Sequence, residues 1–123
     1  MIQTERKIYR IERRNSMNGM WYTAEGKFEP TIQDLCPNSI AKDFPMDYSK
    51  DHKTNNKNWY SAGKNKKDMH YWFSKEDATN LINNGFKLMC YLVKEWIKKE
   101  HEILFTRESI VFEEEINLEE IWR

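Results

Sequence analysis

The chain has 123 residues, enough for one domain built on one modest core. Twenty basic residues balance twenty acidic ones, which argues against a binder of duplex nucleic acid, because that class carries a clear basic excess. Aromatic residues make up 14% of the chain, too many for a disordered one, and two distant cysteines, Cys36 and Cys90, make no disulfide framework.

The charge balance hides an asymmetry. Residues 50–67 hold six lysines against one aspartate, and residues 100–123 hold eight glutamates against two arginines. Solvated surfaces explain both runs. Attraction between opposite ends of identical chains, favouring a homo-oligomer, is the sharper reading. No apolar run approaches the roughly 20 residues that span a bilayer, so no membrane partner is expected. The start, Met1 to Lys7, is too polar for a signal peptide. A reducing, cytoplasmic compartment fits the cysteine usage.

In chain order, Lys7 to Glu12 reads as a strand, rich in β-branched and aromatic residues. Arg13 to Gly19 supplies turn chemistry, and Met20 to Thr23 reads as a second strand, so a hairpin is expected. Pro30 to Asp47 is irregular, with one helical turn at Thr31 to Leu35. Tyr48 to Asp68, rich in lysine and asparagine, reads as a long surface loop or insertion within a single domain, partly anchored by Trp59 and Tyr60.

Ser74 then caps a helix with Glu76 and Asp77 in its first turn, and Asn84-Gly85 ends it in a left-handed C-cap. Met69 to Phe73 precedes this helix, and a staple of Phe73 on Ala78 is the plain use of that ring. Phe86 to Ile97 reads as one long strand. Both of its alternating sets are largely apolar, so it is central or covered on both faces. Ile103 to Thr106 begins a partner strand, and Ile110 to Phe112 continues it or starts another. The tail fits a short amphipathic helix or an edge segment. The fold class expected is α+β, an antiparallel sheet with one or two short helices.

Catalytic patterns are missing. His52, His70 and His101 are scattered, and the chain has no HExxH, no CxxC pair, no phosphate-binding glycine loop and no GxSxG elbow. No metal or cofactor is expected. His101 could pair with Cys90, but a buried structural cysteine is the simpler account. Glu113-Glu114-Glu115 reads as a solvated face.

Binding is better supported. Three segments each place rings beside donors: Arg10, Arg13 and Arg14 with Met20, Trp21 and Tyr22; Tyr71, Trp72 and Phe73 before a helix; and Arg107 beside Phe105 and Ser109. Core packing accounts for any one of these rings. Their co-occurrence with arginine suits a nucleotide, whose base stacks on aromatic faces and whose phosphates take guanidinium hydrogen bonds.

The segments Ile8-Tyr9-Arg10-Ile11-Glu12, Gly19-Met20-Trp21-Tyr22, Tyr71-Trp72-Phe73-Ser74, Gly85-Phe86 and Glu102 to Arg107 resemble a group of small phage proteins. Within it the chain most resembles the first-described family of Thoeris anti-defence proteins. The resemblance covers most of the chain outside residues 30–68. It implies a non-catalytic sponge in the host cytoplasm, holding a cyclic ADP-ribose isomer intact so that the defence effector stays inactive. It also implies a dimer or hexamer with pockets between protomers, and in some members a second site for cyclic oligonucleotides. On this basis Trp21, Phe73 and Arg107, with Arg14, Met20 and Tyr22, are expected around one nucleotide pocket. The competing expectations are an inhibitor that binds a host defence protein and a small nucleotide phosphodiesterase.

Overall fold

A computed structural model describes residues 4–14, 36, 49–51, 57–100 and 102–122. Seven strands and two helices occur among them. The first strand, β1 (Arg6–Arg13), pairs antiparallel with β4 (Phe86–Val93), and β4 pairs antiparallel with β7 (Ile110–Glu115), in the order β1-β4-β7. A second antiparallel sheet has the order β2-β3-β6-β5, from β2 (Ser49–Asp51), β3 (Lys57–Ala62), β6 (Ile103–Phe105) and β5 (Trp96–Lys98). Helices α1 (Lys66–Trp72) and α2 (Lys75–Ile82) lie between β3 and β4 in the chain. The α+β class is as the sequence indicates.

Strand β4 is central because both of its faces are apolar. Phe86 and Leu88 point to the helices, where they pack with Ile11, Trp72, Leu81 and Trp122. Met89, Tyr91 and Val93 point the other way and pack with Ile8 of β1 and with Ala62, Ile103 and Phe105 from the facing side. Each fully buried side chain of this size contributes about 1.5–3 kcal/mol.

The two sheets meet at two corners. At one, Gly63, just past β3, exchanges backbone hydrogen bonds with Tyr9 of β1 at 3.0 and 2.7 Å. A Cβ on Gly63 would meet the Met69 sulfur at 2.7 Å, so glycine suits this close approach. At the other corner β4 bends through Lys94 and Glu95 into β5. The sequence reads Phe86 to Ile97 as one strand. The structure breaks it there, because the Lys94 amide bonds to the Ser109 carbonyl at 3.1 Å and the β4–β7 register shifts at Leu92/Val93.

Helix α2 starts as the sequence indicates: the Ser74 hydroxyl accepts from the Asp77 amide at 3.1 Å. Gly85 follows its C-terminus at φ +94°, the left-handed conformation glycine tolerates. Two readings need correction. Residues 48–68 are not a continuous loop; they include β2, β3 and the start of α1. Met69 to Phe73 is not merely a lead into α2, because Met69 to Trp72 lies in α1, capped by the Asn65 side chain on the Asp68 amide at 3.0 Å. Buried Met69, Trp72 and Asp68 hold that helix, and Asp68 is paired with Lys64 at 2.9 Å. The tail forms a 3-10 turn at Leu118–Glu120, and Trp122 donates its indole N–H to the Phe73 carbonyl at 3.0 Å. Met20 to Thr23 and Thr31 to Leu35 lie outside the described residues.

Candidate ligand-binding site

The chemistry concentrates on the face of β1 and β4 that looks at the second sheet. Strand alternation sends Arg10 and Glu12 inward from β1 and Tyr91 inward from β4, and all three are buried. The Arg10 Nε donates to Glu12 Oε2 at 3.1 Å, and its Nη1 donates to the Ser61 carbonyl of β3. The Tyr91 hydroxyl donates to the other carboxylate oxygen, Glu12 Oε1. A buried carboxylate needs this full set of partners, since an unpaired one would cost several kcal/mol. Burial, and then the Glu12 carboxylate, push the Tyr91 phenol above its ordinary pKa, while Arg107 and Arg10 pull it the other way.

Above this network sits the half-buried Tyr60 of β3. The Arg107 guanidinium lies 4.2 Å from its ring centroid, and Arg10 lies 5.7 Å from it. Tyr60 in turn is 6.0 Å from Phe105, which is 5.8 Å from Tyr91. Two cations therefore converge on one ring, at distances where each attracts its face. Next to Arg107, Thr106 donates its hydroxyl to Glu95 at 2.6 Å, which ties the 3-10 turn Arg107–Ser109 to the β4–β5 bend.

Of the residues singled out from sequence for one pocket, the three described ones, Arg107, Phe73 and Arg14, lie in three different places. Arg107 belongs to this cluster. Phe73 is 2% exposed and packs in the helix-side core, on the opposite face of the sheet. Arg14 lies at the end of β1, where it forms a two-pronged pair with Glu115, both contacts at 3.0 Å, and donates to the Phe86 carbonyl. That pair holds the Glu115 carboxyl below its usual range and raises Arg14. Met20, Trp21 and Tyr22 lie outside the described residues. Trp72 is buried, and Tyr71 is 49% exposed on α1. Sequence reading missed Tyr60, Tyr91 and Glu12. The only local signal for them is a charged residue placed inward on an apolar strand, which marks Glu12.

Outside the cluster, Cys90 is buried as a free thiol. His70 contacts the Ile121 carbonyl, while His52 and His101 lie outside the described residues. Glu113 to Glu115 are exposed, as a solvated run would be. Among the described residues no group of three or more His, Cys, Asp or Glu is placed to hold a metal, and no helix is long and apolar enough to cross a membrane. An open groove of about 310 Å³ lies on the helix side of the first sheet, lined by Lys7, Tyr9, Lys66, Cys90, Glu114, Ile116 and Glu120.

Residues 2–119 match the family described as Bacteriophage T4 Y00F protein. The chain belongs to this phage protein family. The match spans both sheets, both helices and the Arg10–Glu12–Tyr91 network, so the whole site lies within the family's extent. No curated protein matches the chain, and no solved structure does.

Proposed function

We propose that this phage protein binds a small nucleotide signal of the cyclic ADP-ribose type and holds it unconverted, depriving a bacterial defence of the Thoeris kind of its messenger. The observation that carries the reading is the convergence of Arg10 and Arg107 on the Tyr60 ring, at 5.7 and 4.2 Å. A nucleotide brings a flat base and charged phosphates. An aromatic face offers stacking worth about 1–3 kcal/mol per base, and a guanidinium held beside it offers paired hydrogen bonds to phosphate. Arg107 is the ligand-facing member, because it is half-buried while Arg10 is 4% exposed and bonded inward to Glu12 and Ser61. Membership of a phage family supports a role during infection. The resemblance of its short motifs to those of the Thoeris sponges is what suggests this ligand class.

The test is direct. The purified protein is incubated with cyclic ADP-ribose isomers and cyclic dinucleotides, separated from free ligand, and heat-denatured. Mass analysis then reads what is released. Intact ligand is the expected result. Degraded ligand would convert the protein into an enzyme, and an empty eluate for every nucleotide would sink the reading in favour of a protein target.

A further inference from the structure

The helix-side face of the first sheet carries a groove that the Tyr60–Arg107 cluster does not use. Along β1, Lys7 and Tyr9 alternate with Ile8, Arg10 and Glu12, so they point away from the Arg10–Glu12–Tyr91 network. The register sets Tyr9, Cys90 and Glu114 side by side across β1, β4 and β7, and this row lines the groove of about 310 Å³. Pockets for small ligands run from about 300 to 1,000 Å³, so the groove suits a ligand at the small end of that range.

Charge is split across the groove. Lys7 comes from β1, and Lys66 opens α1 just after the Gly63 bridge to β1. Glu114 comes from β7, and Glu120 ends the 3-10 turn that follows it. All four are exposed and line the groove. Among the described residues none of the four is in a salt bridge. Paired strands lie about 4.7–4.9 Å apart, so β1 and β7 stand roughly 10 Å from each other across β4. The fields of these charges still meet at the floor. Burial is the first cause that raises the Cys90 thiol; Lys7 then lowers it, and Glu114 and Glu120 raise it. Tyr9 is half-buried there, and among the described residues its hydroxyl has no hydrogen-bond partner.

A ligand of one sign suits only half of this groove. An anion such as a phosphate meets Glu114 and Glu120, and a cation meets Lys7 and Lys66. An apolar ligand would strip water from four charges and give them nothing in return. We propose that the groove is a binding site for a small dipolar molecule whose ammonium and carboxylate lie several bonds apart, as at the two ends of a short peptide. The carboxylate accepts hydrogen bonds from Lys7 and Lys66, and the ammonium donates to Glu114 and Glu120. Such charge-assisted bonds are about twice as strong as neutral ones. Tyr9 and Cys90 form the floor beneath the linking atoms. The inference rests on this groove and not on the nucleotide reading, whose residues lie on the other face of the sheet.

A titration followed by backbone-amide NMR tests it, with glycylglycine as the probe. The amide resonances of Tyr9, Cys90 and Glu114 should shift and saturate. N-acetylglycylglycine lacks the ammonium and glycylglycinamide lacks the carboxylate. Each should bind at least about tenfold more weakly. A cyclic ADP-ribose isomer should leave these three resonances unmoved, which separates this site from the one proposed above. The double variant Lys7→Glu with Lys66→Glu has an acidic groove. It should lose glycylglycine and bind glycylglycinamide more tightly than the parent does, a gain that misfolding could not give. Resonances that stay in place up to the solubility of glycylglycine overturn the proposal. So does a blocked peptide that binds as tightly, a nucleotide that moves the same three resonances, or a double variant that keeps the parent's preference.

Discussion

The guanidinium of Arg107 lies 4.2 Å from the centre of the Tyr60 ring, although the two residues come from different elements of the second sheet's surroundings. The contact fixes the plane of a long, flexible side chain before any ligand arrives, which reduces the ordering cost of binding. Arg107→Ala should weaken nucleotide binding tenfold to a hundredfold, the equivalent of about 1.4–2.8 kcal/mol. Arg107→Lys should rescue it poorly, because an ammonium cannot stack flat or hold phosphate with two parallel bonds. Tyr60→Leu should lose a similar factor. Calorimetric titration with thermal melts of the same variants separates lost binding from lost fold. Unchanged affinity in all three would place the site elsewhere.

Glu12 and Tyr91 make the second prediction. Glu12 is fully buried, and it accepts from both Arg10 and Tyr91. Removing one partner of a buried ion pair strands the other, at about 3–5 kcal/mol. Glu12→Ala should therefore lower the melting temperature sharply or abolish folding. Tyr91→Phe keeps the packing and removes only the hydrogen bond to a charged acceptor, at about 1.5–3 kcal/mol. Combining Tyr91→Phe with Glu12→Gln should cost less than the sum of the two, since the partners share one network. Additive denaturation free energies would mean that the network is not coupled.

The helix signals can be tested separately. Ser74→Ala removes the cap of α2 and Asn65→Ala the cap of α1; each should cost about 1 kcal/mol. Gly85→Ala puts a Cβ on a residue at φ +94°, and the strain should cost about 1–2 kcal/mol even though nothing crowds the position. Urea midpoints of the three variants, read at constant slope, check this. A Ser74→Ala midpoint equal to the parent's would place the start of α2 elsewhere.

Some of this fold is legible in the chain because local chemistry and burial agree. For α2 the cap, the first-turn acids and the closing glycine all point to one helix. For β4 the two apolar faces announce a central strand. Helix α1 is hidden, because its cap Asn65 stands in a lysine- and asparagine-rich run and its aromatic residues favour helix only weakly. What holds it is tertiary: Met69 and Trp72 under the sheet and Asp68 paired with Lys64. The site divides the same way. Arg107 beside Phe105 can be read locally. The Tyr91–Glu12 contact joins residues 79 apart in sequence, and no local pattern encodes it. Phe73 has two readings in the sequence, a ligand contact and a core ring. As the residue before a helix cap it has a core role available, and the structure gives it that role.

The last prediction concerns alkaline pH. Cys36 is 2% exposed, and burial, with a smaller push from Asp77, raises its thiol from 9.0 to about 12. Burial also raises Cys90, opposed in part by Lys7. An unfolded cysteine loses its proton near pH 8.5. Between that pH and about 12 the folded chain keeps a Cys36 proton that the unfolded chain releases. Stability from this source is therefore complete below about pH 8.5 and declines as pH rises toward the folded value. Urea midpoints of the parent should fall from pH 8 to 10, and those of Cys36→Ala should fall less steeply over the same range. The slope difference is the readout, because it cancels the lysines and tyrosines that titrate in both proteins. Native protein should also react slowly with a thiol reagent at pH 8 and release both thiols at once in denaturant, since a neutral buried thiol is a poor nucleophile. Parallel midpoint curves, or fast native labelling of Cys36, would show that its proton is no harder to remove in the folded chain.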